Sequence, residues 1–204
     1  MLKIYGVPVS VHTRKVLIVA TLKGLAHEVI PIVPVIPDNP PPNWRELSPT
    51  GRIPAITYPT AARELAKTVS IELYATEQLF RNVVRPLFHE VFVHPKIHNR
   101  PANQAVIEQV FAESIPEVFG YIEGVAGEEF LVGHTMTTAD FAVVSNLVTY
   151  RYCGFKLDRN RFHRLAKYFD RMVKVPCIKQ TLRNEKSTAA AMGLNDDILK
   201  ALAA

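Results

Sequence analysis

The sequence predicts a small α/β domain followed by an all-helical domain. Three observations carry that prediction. Residues 2–32 run strand, helix, strand, with short apolar segments on either side of one helix-period stretch. The segment Leu47 to Pro54, Leu-Ser-Pro-Thr-Gly-Arg-Ile-Pro, delivers a proline to the start of a further extended run. From about Ala61 only helical spacing remains.

Leu2 to Tyr5 is an apolar-rich strand, and Gly6 to Val11 is a loop containing Pro8. His12 to Gly24 reads as a helix, with Val16, Leu17 and Ala20 on one face and Gly24 as the stop. His27 to Ile32 is the second strand. Pro34 to Pro42 holds five prolines in nine residues, which makes a stiff surface loop. Asn43 to Leu47 reads as a short helix and Ala55 to Tyr58 as the third strand.

In the second half, Leu65, Val69, Leu73, Thr76, Phe80, Val83 and Leu87 repeat at helical spacing, which predicts one long amphipathic helix bent near Pro86. Gln104 to Ile122 is a second helix. Ala139 to Tyr152 is apolar nearly throughout, as a central buried helix would be. Phe162, Leu165, Phe169, Met172 and Val173 mark another, ending at Val175-Pro176, and Asp196 to Ala204 reads as a short terminal helix. Ahead of the central helix, Thr137 is the expected N-cap, with Asp140 completing a capping box and Met136 and Phe141 a hydrophobic staple. Such a cap is worth about 1 kcal/mol, and both residues are read as structural.

Composition bounds the function. A chain of 204 residues with 48% hydrophobic and 21% charged residues buries an ordinary core. The net charge of +5 is spread among 24 basic and 19 acidic residues without a long basic run, so nucleic-acid binding rests on the pI of about 9.2 alone. Cys153 and Cys177 give neither a disulfide framework nor a Cys-x-x-Cys step, which fits a reducing compartment. The N-terminus lacks the apolar stretch of a signal peptide, and no run is long enough to span a bilayer. A cytoplasmic location is expected. No metal site is expected either. His89 and His94 are one residue too far apart for a shared i, i+4 face, and Pro95 interrupts the pair His94 and His98.

The two motifs Ser10-Val11-His12-Thr13-Arg14-Lys15-Val16 and Ser48-Pro49-Thr50-Gly51-Arg52-Ile53-Pro54 resemble those of the cytosolic glutathione transferases, and the resemblance extends in order over most of the chain. It implies a thioredoxin-like domain over residues 1–59, an all-helical domain over 60–204, glutathione as co-substrate, a hydrophobic electrophile as second substrate, and a homodimer. The first motif is similar to the Ser-Pro-x-x-Arg-Lys-Val of serine-type members, with Val11 replacing the proline. By this resemblance Ser10 is the catalytic hydroxyl and Thr13 the next candidate. Tyr5, ahead of the loop, fits the tyrosine-type position less well. Ile53 would pair with the cysteinyl backbone of glutathione, Pro54 would hold that edge open, and Arg52 would face the glycyl carboxylate. Tyr74, Phe88 and Phe92 are candidates for an electrophile pocket expected between the domains.

One part of the pattern is missing. The family carries a fourth strand, a third helix and an acid-Ser pair for the γ-glutamyl group after the third strand. Here Ile56-Thr57-Tyr58-Pro59 leads almost directly to Ala62-Arg63-Glu64-Leu65, where roughly 20–30 residues are needed. The readings left open are a segment lost from the chain as read, which is the preferred one; a genuine deletion that damages the glutathione site; and a double role for Pro59 to Ser70. The alternative function is a non-catalytic module that keeps the transferase shape for binding. Reductase chemistry is disfavoured because no cysteine stands at the start of the first helix.

Overall fold

The computed structural model describes residues 1–22, 24–36, 39–57 and 63–202. The chain divides into two compact units, Met1–Lys67 and Thr68–Ala204. The expected strand end at Tyr58, the domain junction at 59/60, the loop positions Pro37 and Asp38, and the chain end at Ala204 lie outside the described residues.

The first unit is built on three strands, β1 (Leu2–Tyr5), β2 (His27–Ile30) and β3 (Ala55–Thr57), in the order β2-β1-β3. β1 and β2 are parallel, with Leu2 opposite His27 and Tyr5 opposite Ile30. A parallel pair needs a crossover, and α1 (Val11–Leu22) supplies it. β3 runs antiparallel to β1, with Lys3 opposite Thr57 and Tyr5 opposite Ala55. Strand alternation then sorts the side chains by face. Leu2, Ile4 and Ile56 pack with Val16, Leu17 and Ala20 of α1. Tyr5, Ile30 and Ala55 pack on the other side with Ile32, Trp44 and Leu47, the last two from the short α2 (Trp44–Leu47). β2 is two residues shorter than its apolar run suggests, since Pro31 cannot donate to a ladder.

Between Thr57 and the next helix lie only residues 58–62. That length is too short for the strand and helix that the family pattern calls for. Among the described residues the sheet has three strands.

The helical unit is built from α3 (residues 63–97, whose first turn belongs to the first unit), α4 (residues 104–125), α5 (Thr138–Tyr152), α6 (His163–Met172), α7 (Pro176–Ala191) and α8 (Asp197–Ala201). Its core includes the fully buried Leu79, Leu87, Ile122, Leu147, Leu165 and Met172. Burial of such side chains stabilises by about 1.5–3 kcal/mol each.

The stripe expected to face the core along α3 is corrected in its first half. Leu65, Val69, Leu73 and Phe80 are exposed, at 64%, 46%, 58% and 44%, and only Val83 and Leu87 are buried. The inward face is instead Thr68, Ile71, Tyr74, Ala75 and Leu79. The cause is a change of helical pitch. Over Ala75–Val84 and again over His89–Ile97 the helix makes i→i+5 hydrogen bonds, as from Arg85 N–H to Phe80 and from His98 N–H to Val93. These wider turns shift the phase, so a stripe that starts on the solvent side ends in the core. α4 widens in the same way over Val110–Ser114.

The Thr137 cap is present, and Asp140 does more than complete it. Asp140 is fully buried. One carboxylate oxygen accepts from the Thr137 N–H at 2.8 Å and from the Thr137 hydroxyl at 3.1 Å. The other accepts from the Leu131 N–H at 3.0 Å and the Tyr168 hydroxyl at 2.9 Å. One side chain thus ties the loop before α5 to α5 and α6. The Tyr168 hydroxyl is pushed well above its ordinary range by burial and by the Asp140 charge. The expected staple is weak, since Phe141 is 43% exposed. The start of α6 is satisfied from a distance: Glu123 accepts from the N–H groups of Arg164 at 2.9 Å and Leu165 at 2.7 Å.

A second buried carboxylate closes the far end of α3. Glu90 accepts from the Asn103 N–H at 2.7 Å and from His94 Nδ1 at 3.0 Å. Burial raises its pKa, but the Asn103 and His94 bonds and the charges of His94 and His89 outweigh that, leaving Glu90 below the usual glutamate value.

Asp140→Ala leaves four donors without their acceptor, those of Leu131 and Tyr168 in buried bonds. We expect it to destabilise the helical unit by about 3–5 kcal/mol, measured by urea unfolding followed by far-UV circular dichroism. A loss below about 1 kcal/mol would mean that the carboxylate is only a helix cap.

Candidate active site

In the first unit three backbone segments meet at the carboxyl end of β1. They are Gly6 to Ser10, the first turn of α1, and the turn that ends in Ile53-Pro54. Their meeting requires Gly6. A Cβ at that position would lie 2.5 Å from Thr13 Oγ1, 3.2 Å from Thr13 Cγ2 and 3.4 Å from Ile53 Cβ. The first of these is a clash.

Ser10 caps α1. Its carbonyl accepts from the Arg14 N–H at 2.8 Å, and its Oγ accepts a long bond, 3.4 Å, from the Thr13 N–H. Its own N–H donates to Val7 O at 2.9 Å, which fixes the loop. The residue is half-buried, and among the described residues its hydroxyl proton has no acceptor. No acidic residue occupies the first turn of α1, so the positive end of the helix is not neutralised there. Thr13, by contrast, is fully buried, and its hydroxyl has no hydrogen-bond partner among the described residues. It lies beneath Gly6.

The Ile53-Pro54 peptide bond is cis. Ile53 is half-buried and packs with Trp44 and Ala55. Its N–H and C=O make no hydrogen bond to another described residue. The turn before it is braced closely. The Trp44 indole N–H donates to Gly51 O at 3.1 Å, the Ser48 hydroxyl to Arg52 O at 2.7 Å, and Arg45 to Pro49 O at 3.1 Å. Gly51 has φ of 69°, the left-handed region, and carries the Arg45 guanidinium against it. Arg52 is exposed. Tyr5 is half-buried, with its ring 6.4 Å from that of Trp44. Ser10, Thr13, Ile53, Pro54 and Arg52 therefore all belong to this one unit; Thr13 and Ile53 converge on Gly6, and Ser10 is tied to Thr13 by its cap bond. The sequence analysis missed Gly6 itself. Its signal was a glycine directly after a strand and before the Ser10 motif.

The remaining expected site residues are in the helical unit. Tyr74 is 4% exposed, with its ring 4.0 Å from that of Tyr121 in the core, and burial pushes its hydroxyl well above its usual range. Phe88 and Phe92 are half-buried and stacked at 5.0 Å. Phe92 also lines a cleft of about 370 Å³ with Val91, Lys96 and Tyr152. Thr137 and Asp140 do the structural work described above. The widened turn corrects one detail of the histidine spacing: His89 and His94 do become neighbours, with ring centroids 6.0 Å apart. Cys153 is buried, its thiol pushed up to about 12, and Cys177 is exposed. No helix among the described residues is long and apolar enough to cross a membrane.

An α/β unit with a capped helix start facing a cis-proline turn, followed by a helical unit, is the two-domain arrangement of a glutathione transferase. The glutathione S-transferase N-terminal domain model matches residues 4–77 and the C-terminal domain model matches residues 87–185. The chain belongs to the glutathione S-transferase family. Glutathione S-transferase 3 of Zea mays is 26% identical over 165 residues, covering 68% of this chain and 73% of its own length. Among solved structures, a glutathione S-transferase from Rhodospirillum rubrum F11 matches with a TM-score of 0.52 at 18% identity, covering 89% of this chain and 92% of its own. FzlA from C. crescentus matches with a TM-score of 0.52 at 18% identity, over 89% and 91% of the two chains. A glutathione S-transferase from Sinorhizobium meliloti 1021 gives 0.52 at 16% identity, over 89% and 92%. At these identities the structural likeness establishes the fold, with its thioredoxin-like first domain and helical second domain.

The orphaned hydroxyl of Thr13 gives a direct test of this packing. Thr13→Val keeps the shape and removes the unsatisfied group, so we expect thermal unfolding to show a stability gain of about 1 kcal/mol. Gly6→Ala introduces the 2.5 Å contact and is expected to cost about 1–3 kcal/mol. A tolerated alanine would mean that the three segments are not held in contact.

Proposed function

We propose that this protein conjugates the thiolate of glutathione to a hydrophobic electrophile, with Ser10 as the residue that holds the thiolate. The observation that carries the reading is the half-buried Ser10 hydroxyl at an un-neutralised helix start, with a proton that no described residue accepts. A thiol with a pKa near 8.5 is only a few per cent ionised at neutral pH. Lowering it by two units takes about 2.7 kcal/mol of preference for the anion. A hydrogen bond to a charged sulfur contributes about 1.5–3 kcal/mol, and the helix start up to about 1–2 kcal/mol. Together they suffice. The buried Thr13 hydroxyl is shielded from solvent and ranks behind Ser10.

The N–H and C=O of Ile53, unbonded among the described residues, suit the cysteinyl backbone of glutathione, paired as an extra short strand beside the cis-proline turn. Arg52 is our candidate for the glycyl carboxylate. Phe88 and Phe92, half-buried and stacked, are our candidates for an apolar electrophile, and Tyr74 would support them from the core. A homodimer and a cytoplasmic location belong to the same reading and rest on the family. The second reading, a binding module without catalysis, draws on one observation. The short connection of residues 58–62 leaves no room for the acid-Ser segment that would hold the γ-glutamyl group.

The cap and the catalytic role of Ser10 separate by substitution. Ser10→Asp keeps an excellent N-cap while placing a negative charge where the thiolate must sit. We expect unchanged or higher thermal stability and loss of conjugation by at least about 100-fold with a chlorinated nitroaromatic electrophile. Ser10→Ala should lose about tenfold at pH 6.5, and the apparent thiol pKa in kcat/KM should rise by about one to two units. Conjugation that survives both substitutions would remove Ser10 from the mechanism.

A further inference from the structure

The histidines at the end of α3 have no part in the conjugation chemistry. On a regular helix the spacing of His89 and His94 forbids a shared face, since chelation there needs i and i+4. The i→i+5 turns over His89–Ile97 remove that obstacle. A wider turn brings residues five apart onto one ridge, and such turns recur at functional sites. The imidazole rings of His89 and His94 stand with centroids 6.0 Å apart at 89°, and both residues are half-buried. Two imidazoles on one tetrahedral ion, each bonded at about 2 Å, have centroids about 5 Å apart. A modest side-chain rotation closes the difference.

Glu90 prepares His94 as a ligand. Its carboxylate accepts from His94 Nδ1 at 3.0 Å and is anchored by the Asn103 N–H at 2.7 Å. An ionised carboxylate only accepts, so the Nδ1 proton stays in that bond and Nε2 presents its lone pair. A carboxylate behind a histidine is the usual outer support of a metal ligand. His89 also lies close enough for its charge to act on Glu90. The cations nearest along the chain, Arg85, Lys96 and Arg100, are exposed, so solvent screens them.

We propose that His89 and His94 chelate a divalent transition-metal cation of the Zn²⁺ type, with Glu90 as the outer carboxylate. Among the described residues no three His, Cys, Asp or Glu side chains are grouped to hold one ion, so water completes the coordination. Neutral imidazole selects Zn²⁺, Ni²⁺ or Cu²⁺ over Mg²⁺ and Ca²⁺, which take oxygen donors. The ion clamps successive turns of α3 and, through Glu90, the loop at Asn103.

The test is calorimetric titration of the tag-free full chain with ZnCl₂ in a buffer that does not bind zinc, beside MgCl₂. One zinc per chain is expected, with a dissociation constant of roughly 1–100 μM, and no uptake of magnesium. His89→Ala removes one of the two nitrogen ligands and should weaken zinc binding at least about tenfold at unchanged Tm. Glu90→Gln keeps an acceptor for Asn103 and should weaken it about tenfold. His98→Ala is the control, since its ring lies 6.1 Å from that of His94. That variant should bind zinc as the parent chain does. Absence of zinc binding by folded protein, binding that survives His89→Ala, or loss with His98→Ala or with Cys177→Ser in its place would overturn the proposal.

Discussion

The candidate site depends on a single close approach, that of the Gly6 backbone to Thr13 and Ile53. A side chain at residue 6 would have to displace the Thr13 side chain, since its Cβ would stand 2.5 Å from the Thr13 hydroxyl. With glycine there, β1 can hand the chain directly to α1, and the Ile53-Pro54 turn can lie against the same point. The pairing of Tyr5 with both Ile30 and Ala55 fixes where this happens, because it sets the end of the sheet. The backbone of Ile53, unbonded among the described residues, lies at that junction. The braces under the turn, Trp44 to Gly51 and Ser48 to Arg52, hold the second partner in place at a modest net gain of about 1 kcal/mol each.

The helical unit uses the opposite device, a buried charge that several segments share. Asp140 satisfies donors from Leu131, Thr137 and Tyr168, and Glu90 satisfies Asn103 and His94. Both residues are buried, Asp140 at 0% and Glu90 at 5% exposure. Such groups are costly to desolvate and stable only when fully bonded, so they specify one arrangement of loops around the apolar core. The unit is held by these fixed points as well as by burial of its aliphatic residues.

Much of this was legible in the sequence, for reasons that differ between elements. β1 and β3 were readable because a short apolar run bounded by glycine or proline has few alternatives. The capping box at Thr137 was readable because its residue types and spacing are local. The wider role of Asp140 was not, since its partners at residues 131 and 168 are brought to it only by folding. The face of α3 was misread in its first half because periodicity assumes a constant pitch, and the i→i+5 turns break it. α7 went unseen because it is mostly polar; its fully buried anchors are only Leu182 and Ala189. At the site, Ser10 and Ile53-Pro54 came from motif resemblance. Gly6 became visible only when the distance to Thr13 could be measured.

The central claim is that the Ser10 and Ile53 junction accepts the cysteinyl part of glutathione despite the short connection after β3. The most direct measurement is calorimetric titration of the folded protein with reduced glutathione. The account predicts one site per chain with a dissociation constant between about 1 μM and 1 mM. Absence of binding at millimolar glutathione, from protein shown to be folded by circular dichroism, would contradict it and leave the transferase shape serving another purpose.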